Sequence, residues 1–575
     1  MTKLVRFLKP YSLVLTAVVI LVFIQSITNL YLPNLNSDIV DTGVVRGDTA
    51  YIWRTGGWML LVAAGSAIAA VVAAYLSSLV AAGFGRDLRS RVFSRVESFS
   101  LHEFDKIGTA TLITRTTNDI TQVQMVLLIM LRMMIGAPIM AAGGIIMAVS
   151  KDAELSLVLV VVLPLLVGLI TFVAGKGIPI FKALQVKLDR LNLVLRENLT
   201  GIRVIRAFDR VDHERRRFQE ANRDLTQTAI RVNQLMAVMM PTMMLVMNFT
   251  MVAIVWFGGV RIEGGHMQVG DMMAFIQYAM QIMWSMVMMS MMFIMIPRAE
   301  ASAVRINEVL ETVPEISDPA HPCPASGRHG HVEFQDVTFS YPGAEQPALS
   351  HISFRADPGQ VTAIIGGTGS GKSTLISLIP RFYDVGQGKV LVDGTDVRDM
   401  TQEALRARIG FVPQKAILFT GSITDNIRHG KEDASSEEVR QAAVTAQAAE
   451  FIAGMKDGFD SPIEQGGSNV SGGQKQRLSI ARALIRRPEV YVFDDSFSAL
   501  DFKTDARLRA ALRKETAEAT VIIVAQRVST VMDADQIVVL DDGRIAGIGN
   551  HKDLMNTCAV YREIVSSQLS EEELA

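Results

Sequence analysis

The sequence is poor in cysteine and carries almost no net charge, and each shortage excludes a class of protein. Two cysteines, Cys323 and Cys558, offer no disulfide framework, and a reduced, cytosolic environment is expected for the half that holds them. The 56 basic residues are balanced by 58 acidic ones, which leaves a net charge of −2. Bulk electrostatic attraction to nucleic acid is therefore not its main purpose, and no nucleic-acid partner is expected.

Long apolar runs are missing from the second half of the chain and crowded into the first. A membrane-spanning helix needs about 20 mostly apolar residues. Six stretches meet this requirement, at about residues 12–33, 57–82, 126–149, 155–175, 235–260 and 271–297. We predict a transmembrane domain over residues 1–310, a proline-containing linker over 311–330, and a soluble α/β domain over 331–575. The basic start resembles a signal peptide but lacks a cleavage site, so the first span is expected to be retained.

Basic residues predict the orientation of the spans, because cytoplasmic loops are rich in lysine and arginine. Thirteen of them lie between residues 176 and 231, whereas the opposite loops carry only Arg46, Arg54, Lys151 and Arg261. The prediction is a multi-pass protein of the plasma membrane with both termini and the soluble domain in the cytoplasm. Residues 85–122 and 176–234 keep a helical period, either as coupling extensions of the spans or as solvated hairpins. The soluble domain on the same side favours coupling.

Methionine is concentrated in the last two spans, where 18 of the 30 methionines lie between residues 236 and 295. Four residues of the sixth span, together with Met295, recur on one helical face: Gln277, Gln281, Trp284 and Met288. Flexible methionines accept many shapes, and glutamines within a span usually face a cavity or the bundle interior. This pattern indicates a cavity for a small amphiphilic substrate, but ordinary helix packing explains it equally well. Arg132 in the third span either extends its charged group to the membrane–water interface or lines the transport pathway.

A phosphate-binding loop lies near the start of the soluble domain. Residues 361–365 have the composition of a buried strand, an apolar helix follows, and between them runs Gly366, Gly367, Thr368, Gly369, Ser370, Gly371, Lys372, Ser373 and Thr374. Backbone N–H groups of such a loop and the start of its helix surround phosphates. Lys372 is predicted to reach the β- and γ-phosphates and Ser373 to ligate Mg²⁺, so ATP and Mg²⁺ are the expected cofactors. Residues 331–575 are therefore predicted to form a nucleotide-binding domain in the cytoplasm.

Two adjacent aspartates end another apolar strand, residues 490–493. Asp494 is placed to hold the magnesium ion. Asp495 stands where a carboxylate would polarise the attacking water, and Gln526 ends a further strand thirty-one residues later.

Together with further motifs, these residues give the chain a close resemblance to the ATP-binding cassette (ABC) exporters. The motifs occur in the family's order: Tyr341, the P-loop, Gln414, the signature Ser471-Gly472-Gly473-Gln474, the run Asp494 to Asp501, and Gln526. The segments 104–106, 114–119 and 197–208 also resemble the exporters' intracellular loops, so the likeness covers essentially the whole chain.

This resemblance implies a half-transporter of the type IV exporter fold: an α-helical six-span transmembrane domain followed by an α/β P-loop ATPase domain. Two such chains make a pump, with each ATP held between one chain's P-loop and the other's signature. By resemblance, Tyr341 stacks on adenine, Gln414 ligates Mg²⁺ and links the magnesium site to the membrane loops, and the signature residues reach the partner's γ-phosphate. Asp501 belongs to the same catalytic run.

Two positions depart from the family pattern, which usually has glutamate at 495 and histidine at 526. The shorter carboxylate and the neutral amide predict a degenerate site that holds ATP and cleaves it poorly. The chain then resembles most the degenerate subunit of bacterial heterodimeric multidrug exporters. Its expected partner is a second, non-identical half-transporter with the consensus Glu and His and an altered signature.

Other interpretations stay open. A lipid or lipopeptide flippase fits the same cavity, and a siderophore importer with the exporter fold is a further alternative. A soluble ATPase of DNA repair or translation is opposed by the six spans. A channel or receptor gated by ATP could also carry degenerate catalytic residues.

Overall fold

The computed structural model describes residues 2–323 and 329–568, except for the side chains of Thr2, Phe293 and Ile294. Residues 324–328 of the predicted linker lie outside the described residues. Two units emerge within this part of the chain. The first comprises the residues up to Glu97 and Ala110–Thr312. The second comprises Ser98–Thr109 and the residues from Val313 onward.

The first unit contains six helices that are long and apolar enough to cross a membrane, counted over the described residues. With the two short helices between them, they are α1 (Lys3–Val44), α2 (Thr49–Glu97), α3 (Leu101–Ile107), α4 (Thr109–Lys151), α5 (Leu157–Thr200), α6 (Ile202–Ala207), α7 (Val211–Glu263) and α8 (Val269–Glu311). Each predicted span lies within one long helix, except that the fourth, 155–175, begins two residues before α5. The helices continue well beyond the apolar runs, because the charged loop sequences keep the helical period.

Polar contacts join the long helices near both ends of the first unit. At one end the buried carboxylate of Asp119 in α4 accepts hydrogen bonds from Ser302 Oγ (3.0 Å) and Arg305 Nε (2.8 Å) in α8. At the other end, Lys151 Nζ of α4 donates to Asp271 Oδ1 of α8 at 2.8 Å. Apolar packing between helices is weakly directional, and such pairs fix which helix faces which.

The second unit is an α/β domain. Its strands are β1 (Val332–Phe339), β2 (Leu349–Ala356), β3 (Val361–Gly366), β4 (Gln387–Val392), β5 (Thr395–Asp396), β6 (Ile409–Val412), β7 (Gly421–Ser422), β8 (Pro462–Ile463), β9 (Val490–Asp494), β10 (Thr520–Val524), β11 (Gln536–Asp541) and β12 (Arg544–Gly549). Its helices are α9 (Lys372–Leu378), α10 (Gln402–Ala407), α11 (Ile423–Arg428), α12 (Ser436–Thr445), α13 (Ala449–Ala453), α14 (Gly472–Leu484), α15 (Phe502–Glu515), α16 (Val528–Val531), α17 (His551–Thr557) and α18 (Ala559–Ser566).

The strands form a six-stranded sheet in the order β12-β11-β3-β10-β9-β6, a four-stranded antiparallel sheet β2-β1-β4-β5, and the pair β7-β8. In the larger sheet β11, β3, β10, β9 and β6 run parallel, and β12 is antiparallel. All five residues of β9 and of β10 are buried, as expected for parallel strands covered on both faces. Ligands of such sheets bind beyond the carboxyl ends of the strands. The loops after β3, β9 and β10 therefore meet at one edge.

A short piece of the first long loop belongs to the second unit. In α3, the buried carboxylate of Glu103 accepts hydrogen bonds from Ser100 N at 2.7 Å and from Glu315 N at 3.1 Å. Burial, with Asp105 nearby, raises the pKa of Tyr383 to about 12. The segment 98–109 thus contacts residues of the second unit, while its two ends continue into α2 and α4.

Candidate ATP site

The P-loop connects β3 to α9 in a conformation that depends on glycine. Gly371 adopts a φ of +94°, and an added Cβ would lie 2.9 Å from Ala348 O. A Cβ on Gly366 would lie 2.2 Å from Leu540 O, because β11 packs directly against the end of β3. These two positions hold the loop close to the sheet, with Gly367 to Ser370 between them.

Lys372 is folded onto the loop that precedes it. Its Nζ donates to Gly366 O at 2.9 Å, to Gly367 O at 2.6 Å and more weakly to Ser370 Oγ at 3.4 Å. Burial lowers the pKa of this lysine, an effect that the carboxylates of Asp495 and Asp494 oppose. A partly buried ammonium with only neutral oxygens as hydrogen-bond acceptors is well suited to a phosphate.

Asp494 and Ser373 come together as the sequence predicts. Ser373 Oγ donates to Asp494 Oδ1 at 3.1 Å, and Asp494 is the last residue of β9. Burial raises the pKa of Asp494, and the neighbouring charge of Asp495 raises it further. A hydroxyl and a destabilised carboxylate side by side are the hard oxygen donors that Mg²⁺ prefers, so these residues fit the ion.

One carboxylate oxygen of Asp495 accepts hydrogen bonds from two neutral amide groups. Its Oδ2 accepts hydrogen bonds from Gln526 Nε2 at 3.0 Å and from Gln414 Nε2 at 3.3 Å. The side chain is largely buried, and its backbone adopts a φ of +44°, with its N–H donating to Val524 O at 2.9 Å. Gln414, predicted as a metal ligand, thus contacts Asp495 in this structure rather than Ser373 or Asp494.

Tyr341 lies beside the P-loop with 39% of its surface exposed. Its hydroxyl is 2.9 Å from Thr374 Oγ1, the last of the predicted P-loop residues. Phe339 and Tyr383 pack edge-on against its ring, with centroid distances of 5.0 and 5.5 Å. The hydroxyl contact and the two aromatic contacts hold the Tyr341 ring in place, and its partly exposed surface suits stacking on an adenine base. Sequence reasoning missed Tyr383, whose place between strands gave no distinguishing pattern.

The signature residues start helix α14. Ser471 caps it: Ser471 Oγ accepts from Gln474 N at 3.3 Å, and Gln474 Oε1 accepts from Ser471 N at 2.9 Å. These hydrogen bonds join the two residues to each other rather than to the P-loop, and Ser471 and Gly472 are exposed. An added Cβ on Gly473 would lie 3.1 Å from Ala499 O. The signature is a preformed helix start that faces away from this chain's own core.

Asp501 acts locally as a helix cap. Its Oδ1 accepts from Thr504 N at 3.0 Å at the start of α15, and hydrogen bonds from Thr504 lower its pKa. A catalytic role for Asp501 stays a prediction.

The chain is similar to known proteins over nearly its whole length. Residues 15–286 match the family model for the ABC transporter transmembrane region, and residues 349–498 match that for the ABC transporter. An uncharacterized ABC transporter ATP-binding protein of Mycobacterium tuberculosis is 44% identical over 98% of this chain and 97% of that protein. The chain belongs to the ABC transporter family.

Two further likenesses specify the type of transporter. An ATP-dependent lipid A-core flippase of Chromobacterium violaceum is 30% identical, over 99% of this chain and 97% of the flippase. The solved structure of a bacterial Atm1-family ABC exporter with ATP bound has a TM-score of 0.81 and 26% identity, covering 97% of this chain and 98% of the other. The predicted fold class is confirmed: this is a multi-pass exporter half-transporter, with six membrane helices followed by one ATP-binding domain.

The four residues of the predicted substrate face lie on α8, and they differ in exposure and in hydrogen bonding. Trp284 is 52% exposed, whereas Gln277 and Met288 are half-buried. Gln281 Nε2 approaches Asn29 O of α1 at 3.4 Å, and Asn29 Oδ1 accepts from Ser66 Oγ of α2 at 2.8 Å. Helix packing therefore engages Gln281, and the other three positions are free of side-chain hydrogen bonds in the described chain.

Arg132 lies in an irregular turn of its helix. Residues Met130–Met134 form a π-helical turn within α4, and Arg132 is exposed there. Such single turns often occur at functional sites. The two interpretations of Arg132, interface or pathway, both remain compatible with this position.

Proposed function

We propose that this chain is the ATP-holding half of a heterodimeric exporter, and that a non-identical half-transporter performs most of the hydrolysis. The pump resides in the plasma membrane, with both termini and the ATPase domain in the cytoplasm, and exports small amphiphilic compounds of the multidrug type. The observation that carries this proposal is the pair of amides on one carboxylate oxygen of Asp495.

A general base must bring a carboxylate oxygen within hydrogen-bonding reach of the attacking water. Asp495 is shorter than glutamate by one C–C bond, about 1.5 Å, and its Oδ2 already accepts from Gln414 and Gln526. A misplacement of about 1 Å can cost on the order of 100-fold in rate, and general-base catalysis contributes about 10²–10⁴. Gln526 cannot supply the proton or positive charge of a histidine. The site is therefore suited to slow cleavage.

The main contacts to the nucleotide are expected from residues other than these two. Lys372 would contact the phosphates, Tyr341 would stack on the adenine, and Ser373 with Asp494 would hold Mg²⁺. When bound, the ion neutralises phosphate charge. The contacts of Ser373 and Tyr341 already link α9 to β9 and to the strand residues near Phe339. ATP bound here would keep one side of the dimer closed over successive cycles.

The proposal of a second chain is supported by exposed surfaces of this one. Ser471 and Gly472 are exposed although Ser471 and Gln474 already form a complete cap. Helix α6 has no buried residue, and Phe208 just after it is 73% exposed. An aromatic side chain at the tip of a cytoplasmic helical hairpin is favoured as a contact to another subunit. The signature would then complete the partner's ATP site.

The proposal is tested by expressing the full-length chain alone and together with candidate half-transporters. We expect the purified single chain to bind ATP and turn it over slowly, and the pair to hydrolyse ATP rapidly. The half-transporter that co-purifies should carry Glu and His at the positions of Asp495 and Gln526. Fast turnover by the single chain, or a partner without that glutamate, would contradict the assignment.

A lipid flippase is the second candidate. It is favoured by the similarity to a lipid A-core flippase and by the mixed polar and apolar face of α8 around Trp284. Reconstituted with its partner, the transporter can be offered fluorescent cationic dyes or labelled lipids. ATP-dependent lipid movement without dye transport would identify a flippase, and the reverse result an exporter of drug-like compounds.

A further inference from the structure

Gln568, just after helix α18, makes a two-point contact with the segment that carries Gln526. Its Oε1 accepts a hydrogen bond from Val528 N at 2.8 Å, and its Nε2 donates to Gln526 O at 2.8 Å. The backbone groups fix which end of the amide is which, because one is a donor and the other an acceptor. A single side chain thus spans residues 526 to 528.

The helix that presents Gln568 is itself firmly anchored. Tyr561 and Val565 of α18 are buried in the core of the ATPase domain, and Tyr561 OH is 2.8 Å from His551 Nδ1. Cys558, before the helix, is also buried. Gln568 therefore extends from the end of the anchored helix α18 to the turn between β10 and the one-turn helix α16.

The segment held by Gln568 otherwise has an open surface. Gln526 and Arg527 are both exposed, and their side chains reach the run after β9. Gln526 Nε2 donates to Asp495 Oδ2 at 3.0 Å, and Arg527 Nη2 donates to Ser498 O at 3.1 Å. The direction of the Gln526 side chain follows from its backbone, which Gln568 fixes.

We propose that Gln568 is a positioning residue: it holds the backbone of Gln526 so that the Gln526 amide stays on Asp495 and closes this edge of the ATP site. The inference rests on the proposed function, in which the site retains nucleotide. Without Gln568, the 526–528 turn loses two hydrogen bonds, and the amide leaves Asp495 for part of the time. Bound ATP is then released faster.

The test measures release of a fluorescent ATP analogue, mant-ATP, from the full-length chain in lipid nanodiscs after a chase with unlabelled ATP. We expect Gln568→Ala to accelerate release about two- to tenfold, the factor carried by one net hydrogen bond. Gln568→Glu has the same size and keeps an acceptor for Val528 N, but loses the donor to Gln526 O. It should also release nucleotide faster than the wild type, because the lost contact is the one to the backbone of Gln526.

Ser567→Ala is the matched control, because among the described residues Ser567 Oγ donates a hydrogen bond only to Ile564 O of its own helix turn. It should leave release unchanged. The decisive comparison is a double-mutant cycle with Gln526→Ala, in which Gln568→Ala should have no further effect on release. A structural role alone would give the same change with or without Gln526, and that result, or equal behaviour of the 567 and 568 variants, would overturn the inference.

Product analysis separates this outcome from a failure of the proposed function. If the wild-type chain converts the analogue to the diphosphate rapidly, the ATP-holding role is wrong whatever Gln568 does. If the wild type retains intact analogue and Gln568→Ala behaves like the wild type, only the positioning role is wrong.

Discussion

Repairing the two unusual residues should turn this chain into an ATPase that works by itself. The perturbation is Asp495→Glu with Gln526→His. The signature Ser471 to Gln474 is intact and its capping hydrogen bonds are formed. Two copies of the repaired chain would therefore bring together two complete sites.

The size of the effect follows from the geometry around Asp495. Glutamate extends the carboxylate by about 1.5 Å, and recovering a displacement of that order is worth about 100-fold in turnover. Histidine at 526 also removes the amide that donates to Oδ2 at 3.0 Å, which frees that oxygen for water. Gln414, at 3.3 Å, stays as the weaker donor. We expect about 100-fold for Asp495→Glu and a further gain for the double variant.

The assay is phosphate release from the purified chain in nanodiscs, with light scattering to measure self-association. Asp495→Asn is the matched control, since it keeps the length of aspartate and removes the charge, and it should change the slow wild-type rate little. A repaired chain that forms dimers yet remains as slow as the wild type would refute the assignment of the defect to these two side chains. Equally fast turnover by wild type and repaired chain would refute it from the other side.

Three further outcomes are expected. In the assembled pair, Ser471→Ala should reduce ATP hydrolysis more than Asp495→Asn does, because the signature serves the partner's nucleotide; equal losses would contradict this. Affinity for MgATP, measured by fluorescence titration, should fall on acidification at a higher pH than for an ordinary aspartate, because the raised pKa of Asp494 means that it is protonated sooner. On the alkaline side, affinity should fall at a lower pH than for an ordinary lysine, because the lowered pKa of Lys372 means that it loses its charge earlier; an unchanged affinity at both ends would show that neither group contacts the nucleotide. Asp119→Ala should lower the free energy of unfolding in detergent by about 1–3 kcal/mol, since it removes the buried acceptor of Ser302 and Arg305. Thr117→Ala should leave it unchanged, because the exposed Thr117 hydroxyl donates to Ile113 O of its own helix.

The fold was predictable because its signals are local in the chain. Twenty apolar residues specify a membrane span whatever surrounds them, and a glycine loop between an apolar strand and an apolar helix specifies a phosphate site. Lys372, Ser373 and Asp494 could be placed in one site for the same reason, since parallel strands end at one edge of a sheet. The resemblance to ABC exporters rests on motifs of this kind.

Other contacts could not be predicted, since they join residues distant in sequence. Nothing in the sequence assigns Gln414 to the carboxylate of Asp495 rather than to Ser373, or places Gln568 on the backbone of Gln526. The engagement of Gln281 with Asn29 likewise depends on how α8 packs against α1. Helical period gives the face on which a residue lies, but not the neighbour that it meets.

The amino-acid sequence alone determined that the chain spans a membrane, binds nucleotide and has a shortened carboxylate at position 495, because these properties follow from residue types and their spacing. Tertiary structure decided what that carboxylate contacts. Chain segments more than thirty residues apart converge beyond the ends of β9 and β10, and only their packing brings two amides to one oxygen.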